Sequence, residues 1–184
     1  VLNNVYLIED AAIGNGVTST APEVDNLVRR LPLVFNINDT LYPSFGLEIL
    51  RAAAGAKSYA LKTNETGIEA LRVQGLPVIT TDPNARVWAT WNTKFERISA
   101  KDYAEEAPEY PIVILGVTAR GASTLVATPD GLKAPHEIQA AAISTLLQGK
   151  NIARPDWADG AEILVLIAVL GAIAALAFNL YYSI

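Results

Sequence analysis

Short apolar blocks alternate with polar ones through most of the chain, then give way to one unbroken apolar run at the carboxy-terminal end. Val5–Ile8 (VYLI) is the first block and reads as a strand. Asn26–Asn36 (NLVRRLPLVFN) is rich in β-formers, and Ile37–Thr40 (INDT) places turn chemistry at Asn38–Asp39, so a strand entering a hairpin is expected. Pro43–Ser44 then opens a helix. Phe45 and Ile49 fall one turn apart, as do Leu47 and Leu50; Ser44 is the candidate N-cap and Gly55 the stop.

Ser58–Leu61, Ile68–Val73 and Leu76–Thr80 are further strand candidates. TDPNA at 81–85 turns the chain, and Val87–Trp91 (VWATW) alternates large and small residues, so TDPNARVW is expected to form a hairpin. Ser99–Ala104 should start a short helix, with Ser99 as cap and Asp102 at the favourable end of its dipole. Ile112–Leu115 (IVIL), bounded by Pro111 and Gly116, has the pattern of a strand buried on both faces. His136–Gln148 is a helix with Ile138, Ala141, Ala142, Thr145 and Leu146 on one face and Gly149 after it. This succession predicts an α/β fold, a mixed β-sheet with flanking helices.

Ile163–Ile184 carries no charged residue, and Asn179 is its only strongly polar side chain besides Ser183. As a helix it would span about 33 Å, enough to cross a hydrocarbon core of about 30 Å. A core helix would show a polar stripe, and none is present. Trp157 before the run, and Tyr181 and Tyr182 near its end, occupy the places of interfacial aromatic anchors. Gly171 and the pair Ala174–Ala175 offer a small surface for helix approach. The preceding flank holds Asp156, Asp159 and Glu162 against Arg154, a balance that suits the outer face.

Of the 184 residues 51% are hydrophobic, with a formal charge of −5 and an isoelectric point near 4.9. Nucleic acid is not an expected partner, because phosphate binding needs clustered Lys and Arg, and Arg29–Arg30 is the only adjacent basic pair. There is no cysteine, so disulfides, thiolate metal sites and a Cys nucleophile are excluded. The chain has no methionine and no visible signal peptide, and Val1 reads as a mid-domain position of a longer polypeptide.

Gly116–Gly121 (GVTARG) follows an apolar run but lacks the Lys-Ser/Thr pair of a phosphate loop, so it reads first as a tight turn. Thr118, Arg120 and Ser123 place two hydroxyls and a guanidinium at the carboxyl end of the expected strand, where ligands of α/β sheets bind. They are the candidate residues for an anionic small molecule, since Arg offers a bidentate fork. His136 is the only histidine and reads as the first turn of a helix rather than as a zinc ligand or triad member; no GxSxG is present. Asp102, Glu105, Glu106 and Glu109 read as a solvated acidic face. No catalytic residue, metal site or cofactor is expected.

Four stretches together resemble one family. PEVDNLVRRLPLVFNINDTLYPSFGLEILRAAAG is similar to a segment of the type-two CHASE domain in which a VRRLPL strand precedes YPS and a helix. TDPNARVW resembles its TDPQGRVW-like element, and YPIVILGVTARGASTLVATPDG resembles its KIVLIGATAAGLGDLVATP element. IQAAAISTLLQGKNIARPDWADGAE, followed by an apolar helix, is similar to its exit into the membrane. The family's early DID strand and first membrane helix have no counterpart, and its PGVEIHA appears as PHEIQA, which puts Gln139 at the place of the family histidine.

The resemblance implies an extracytoplasmic sensory domain over 1–155, truncated at its amino end, and a transmembrane helix with its interfacial flank over 156–184. It further implies a non-catalytic input domain in the periplasm, held in the bacterial inner membrane and coupled to an adenylate or guanylate cyclase or to a kinase. Membrane lipid, a homodimer or other membrane subunits, and a small-molecule ligand are the partners expected. The alternative reading is an accessory subunit of a membrane complex.

Overall fold

The computed structural model describes residues 5–103, 112–119, 121–149 and 157–182, with backbone only at 180 and 182. Two compact units emerge, Val1–Ala153 and Arg154–Ile184.

The first unit has the α/β character expected, with its strands divided among four small antiparallel sheets. β1 (Arg30–Pro32) breaks at Leu33 before β2 (Val34–Ile37), which turns through Asn38–Asp39 into β3 (Thr40–Pro43). Asn38 and Asp39 have φ of 52° and 60°, the left-handed pair that a two-residue hairpin needs and that Asn and Asp tolerate. Ser44 caps α2 (Phe45–Ala53) as expected, its hydroxyl accepting from Leu47 N at 3.4 Å. β4 (Tyr59–Asn64), β5 (Gly67–Val73) and β6 (Ile79–Thr80) form the three-stranded sheet. β7 (Arg86–Trp88) pairs with β1, and β8 (Val126–Thr128) with β9 (Gly131–Lys133). α3 (Pro135–Gln148) packs on α2, with Gly46 close to Ala142. Its expected face is buried throughout: Ile138, Ala141, Ala142, Thr145 and Leu146.

The main core joins Leu33, Leu47, Leu50, Leu71, Val73, Ile79, Val87 and Leu146. A smaller cluster of Val28, Leu31, Ile138 and Ala142 lies under the first sheet, with Trp91 packed against it.

Five expectations need correction. Val5–Ile8 lies not in a strand but at the start of a short exposed helix, α1 (Tyr6–Ala11); a brief apolar run fits either element, and no neighbouring strand pairs with it here. TDPNARVW is a turn but not a hairpin, because β6 pairs with β5 whereas β7 pairs with β1. Asp82 builds that turn by accepting from Asn84 N (3.0 Å) and Arg86 N (2.9 Å), with Ala85 at φ 56°. The strands expected at Leu76–Thr80 and Val87–Trp91 shrink to two and three residues. Ile112–Leu115 is extended but unpaired with any described residue: Ile112 and Ile114 pack on the core, while Val113 and Leu115 stand 55% and 87% exposed. Four apolar residues in a row concealed a one-sided alternation.

At Ser99 the chain turns, its carbonyl accepting from Asp102 N and Tyr103 N. Ala104 and the acidic residues Glu105, Glu106 and Glu109 lie outside the described residues.

The second unit is α4 (Ala158–Tyr182). Its window Ala158–Asn179 is long and apolar enough to cross a membrane, and none of it is buried. The apolar side chains cover every side of the helix, which suits lipid rather than a protein interior.

Candidate functional site

The concavities among the described residues of the first unit include two with paired Arg and carboxylate side chains. The larger, about 600 Å³, is lined by Glu23, Asp25, Arg29, Arg30 and Arg86. Its charges satisfy one another: Arg29 binds Asp25 (2.6 Å) and Glu23 (3.2 Å), Arg30 binds Glu23 (2.8 Å) and Asp82 (3.1 Å), and Arg86 binds Asp82 (2.8 Å). Arg30 also lies over the Trp88 ring at 5.5 Å. This lattice ties the 22–25 turn to the first sheet.

Hydrogen bonding from Arg30 holds the Glu23 carboxyl below the ordinary carboxylate range, and bonding from Arg29 does the same for Asp25. Both pKa values are lowered only when the chain is folded. Their stabilisation is therefore complete above the unfolded carboxylate range, about pH 4–5, and is lost as pH falls through the folded values. We expect the urea midpoint to fall between pH 5 and pH 3, and Glu23→Gln to flatten that dependence. An unchanged slope in the variant would refute the assignment.

The smaller pocket, about 340 Å³, lies between the 117–125 loop and the start of α3. Thr118 and Ser123, both expected at a ligand edge, do meet here, joined by Arg97, His136 and Glu137, with Leu125 as an apolar wall. Ser123 Oγ donates to Val117 O at a long 3.4 Å, and Thr118 Oγ1 bonds to no described residue. Arg120 lies outside the described residues. Gly121 has φ 80°, and Ala122 N donates to Ala119 O (3.1 Å), so a turn closes at the end of the Gly116–Gly121 stretch rather than across it.

Glu137 has two tasks. One carboxylate oxygen accepts from Ala134 N at 2.8 Å and caps α3; the other pairs with Arg97. The pair is the far end of a strap that runs along α3. Thr90 N donates to Thr145 Oγ1 (2.8 Å), Thr93 Oγ1 meets Ser144 Oγ (3.1 Å), and Arg97 reaches Glu137. Trp91, within the strap, buries an indole N–H that meets no acceptor among the described residues.

His136 lies in the first turn of α3 as expected, and its ring covers Gly116 so closely that a Cβ there would come within 2.2 Å of its Cγ. Gly116→Ala should push the ring outward and cost about 1–3 kcal/mol, as overpacking does. A thermal midpoint unchanged by that substitution would show that the loop simply yields. Gln139 is buried and donates to Thr18 O at 3.2 Å, which ties the amino-terminal loop to α3.

No group of His, Asp and Glu suited to a metal occurs among the described residues. Arg97 and Glu137 escaped sequence reading because a lone Arg in an irregular stretch carries no pattern. The signal for Glu137 was present: Pro135 followed by a Glu in the first turn marks a capped helix start.

Trp157, just before α4, and Tyr181 within it are exposed. The side chain of Tyr182 lies outside the described residues.

Neither a curated protein nor a solved structure matches the chain. A family model described as CHASE2 domain matches residues 2–176, running through the folded unit and most of α4. The chain therefore belongs to the CHASE2 family, an extracellular, non-catalytic sensory domain of signalling proteins, and holds one candidate membrane helix among its described residues.

Proposed function

We propose that the chain is the periplasmic input domain of a bacterial transmembrane adenylate or guanylate cyclase anchored in the inner membrane. The observation that carries this reading is the continuity of the family match from the folded unit into the apolar helix. A sensory domain that shares one family unit with a membrane helix is built to pass a signal inward. On this reading the chain works as a homodimer in lipid, and Trp157, Tyr181 and Tyr182 anchor its helix at the two interfaces. Thr118, Arg120 and Ser123 contribute to a small-molecule site. A ligand there shifts α3, and the signal passes on to the membrane helix, in the manner of helix shifts in other switches.

Two measurements test the reading. Alkaline phosphatase fused after Gly149 should be active and green fluorescent protein at the same point dark; the reverse result would place the domain in the cytosol. Membranes holding the full-length protein should make cyclic AMP or cyclic GMP, and a protein without that activity would remove the cyclase output.

A further inference from the structure

We infer that residues 13–18 form a clasp that opens ahead of the rest of the folded unit and sets the first turns of α3, an inference that rests on the input-domain reading above. Through it, movement on the amino-terminal side of the domain reaches the helix.

The clasp lies across the start of α2 and is held by its backbone. Val17 N donates to Pro43 O (2.9 Å), and Val17 O accepts from Phe45 N (2.8 Å). The second bond also serves α2, because Phe45 is its first residue and that N–H has no partner within the helix. At one end Ile13 O accepts from Arg51 Nη2 of α2 (3.2 Å), and at the other Thr18 O accepts from Gln139 Nε2 of α3 (3.2 Å). One short segment thus grips both helices, next to the place where Gly46 of α2 faces Ala142 and Gln139 O of α3.

Two glycines let the clasp lie flat. A Cβ on Gly16 would stand 2.4 Å from Phe45 Cα, and one on Gly14 would stand 1.7 Å from Glu48 Oε1. No side chain anchors the segment: Ile13 is 84% exposed, and within 13–18 only Gly16 and Val17 are half-buried. A stretch held by a few hydrogen bonds, with no buried apolar side chain, opens before a core does. Gln139 makes that opening felt on α3. Its side chain is 7% exposed, so losing Thr18 O leaves a buried amide without that acceptor, and α3 must repack around it. The positions of the clasp and of α3 are therefore linked.

The test is hydrogen exchange, read at single amides by mass spectrometry, on the full-length protein in lipid nanodiscs. The Val17 and Phe45 amides are bonded across the clasp, so they report its opening. In the parent protein they should exchange together, and about tenfold or more faster than the amides of the core residues Leu71 and Ile143. One shared rate for all four would overturn the inference. Gly16→Val cannot lie flat; it should speed the clasp amides about tenfold further and speed those of Gln139–Ile143 with them. In a Gln139→Leu background the same change should still free the clasp but no longer reach α3. An equal response of α3 in both backgrounds would show that the coupling does not run through Gln139 and would also overturn the inference. Cyclic-nucleotide output from the same nanodiscs separates the two claims. The expected exchange pattern with output unmoved by Gly16→Val overturns the input-domain reading and leaves the clasp standing. Output that moves while α3 exchange does not overturns the clasp alone.

Discussion

Replacing Glu48 by Ala should destabilise the folded unit by about 3–5 kcal/mol, the cost of leaving a largely buried charge without its partner. Glu48 is 8% exposed on α2 and holds Arg51 through Nε (3.0 Å to each oxygen) and Nη2 (2.6 Å). Tyr59 OH donates to the same carboxylate from β4. Arg51 in turn donates to Ile13 O (3.2 Å) and to Ala56 O, so one ion pair ties the amino-terminal loop, α2 and β4 together. The backbone at Gly14 lies against the carboxylate, where a Cβ would come within 1.7 Å of Glu48 Oε1. Glu48→Gln keeps the shape and part of the hydrogen bonding and should cost less, about 1–2 kcal/mol. Urea unfolding of the micelle-bound chain, followed by fluorescence of Trp88 and Trp91, checks both. A loss below about 1 kcal/mol for the alanine variant would show the cluster to be a solvated surface pair.

The second large effect concerns α4. A single Leu170→Arg should leave the helix in the membrane, because one arginine near the helix centre costs about 3 kcal/mol against roughly 0.5 kcal/mol gained by each Leu, Ile, Val or Phe. The triple change Leu166→Arg, Leu170→Arg and Ile173→Arg costs about 10 kcal/mol on the same scale and cancels that gain. Alkaline carbonate should then extract the triple variant and not the single one. Extraction of the parent chain would mean that α4 rests against protein rather than lipid.

Much of this architecture was legible beforehand, for local reasons. Ser44 before an amphipathic run announces α2, Asn38–Asp39 announces a two-residue hairpin, and the spacing from Ile138 to Leu146 gives the buried face of α3. Each of these depends on neighbours within about one turn of chain. The readings that failed depended on distant partners. Whether Ile112–Leu115 is a central strand turns on what lies beside it, and no described strand does. The flanks of TDPNARVW alternate as a hairpin would, yet each finds a better partner in another sheet.

The candidate site divides in the same way. Thr118 and Ser123 were legible because a glycine-bounded turn after an apolar run exposes hydroxyls. Arg97 and Glu137 lie forty residues apart and meet only through folding.

By itself the sequence determined the apolar helix, the acidic and cysteine-free character that excludes several chemistries, and the helix starts and turns, because composition and short-range periodicity act before any long-range contact forms. Tertiary structure alone decided which strands pair, that Glu48 and Arg51 lock a loop to α2, and that the 90–97 strap brings Arg97 to Glu137 at a pocket. Those depend on closing loops of tens of residues, a choice made by total burial and hydrogen-bond satisfaction rather than by any local preference.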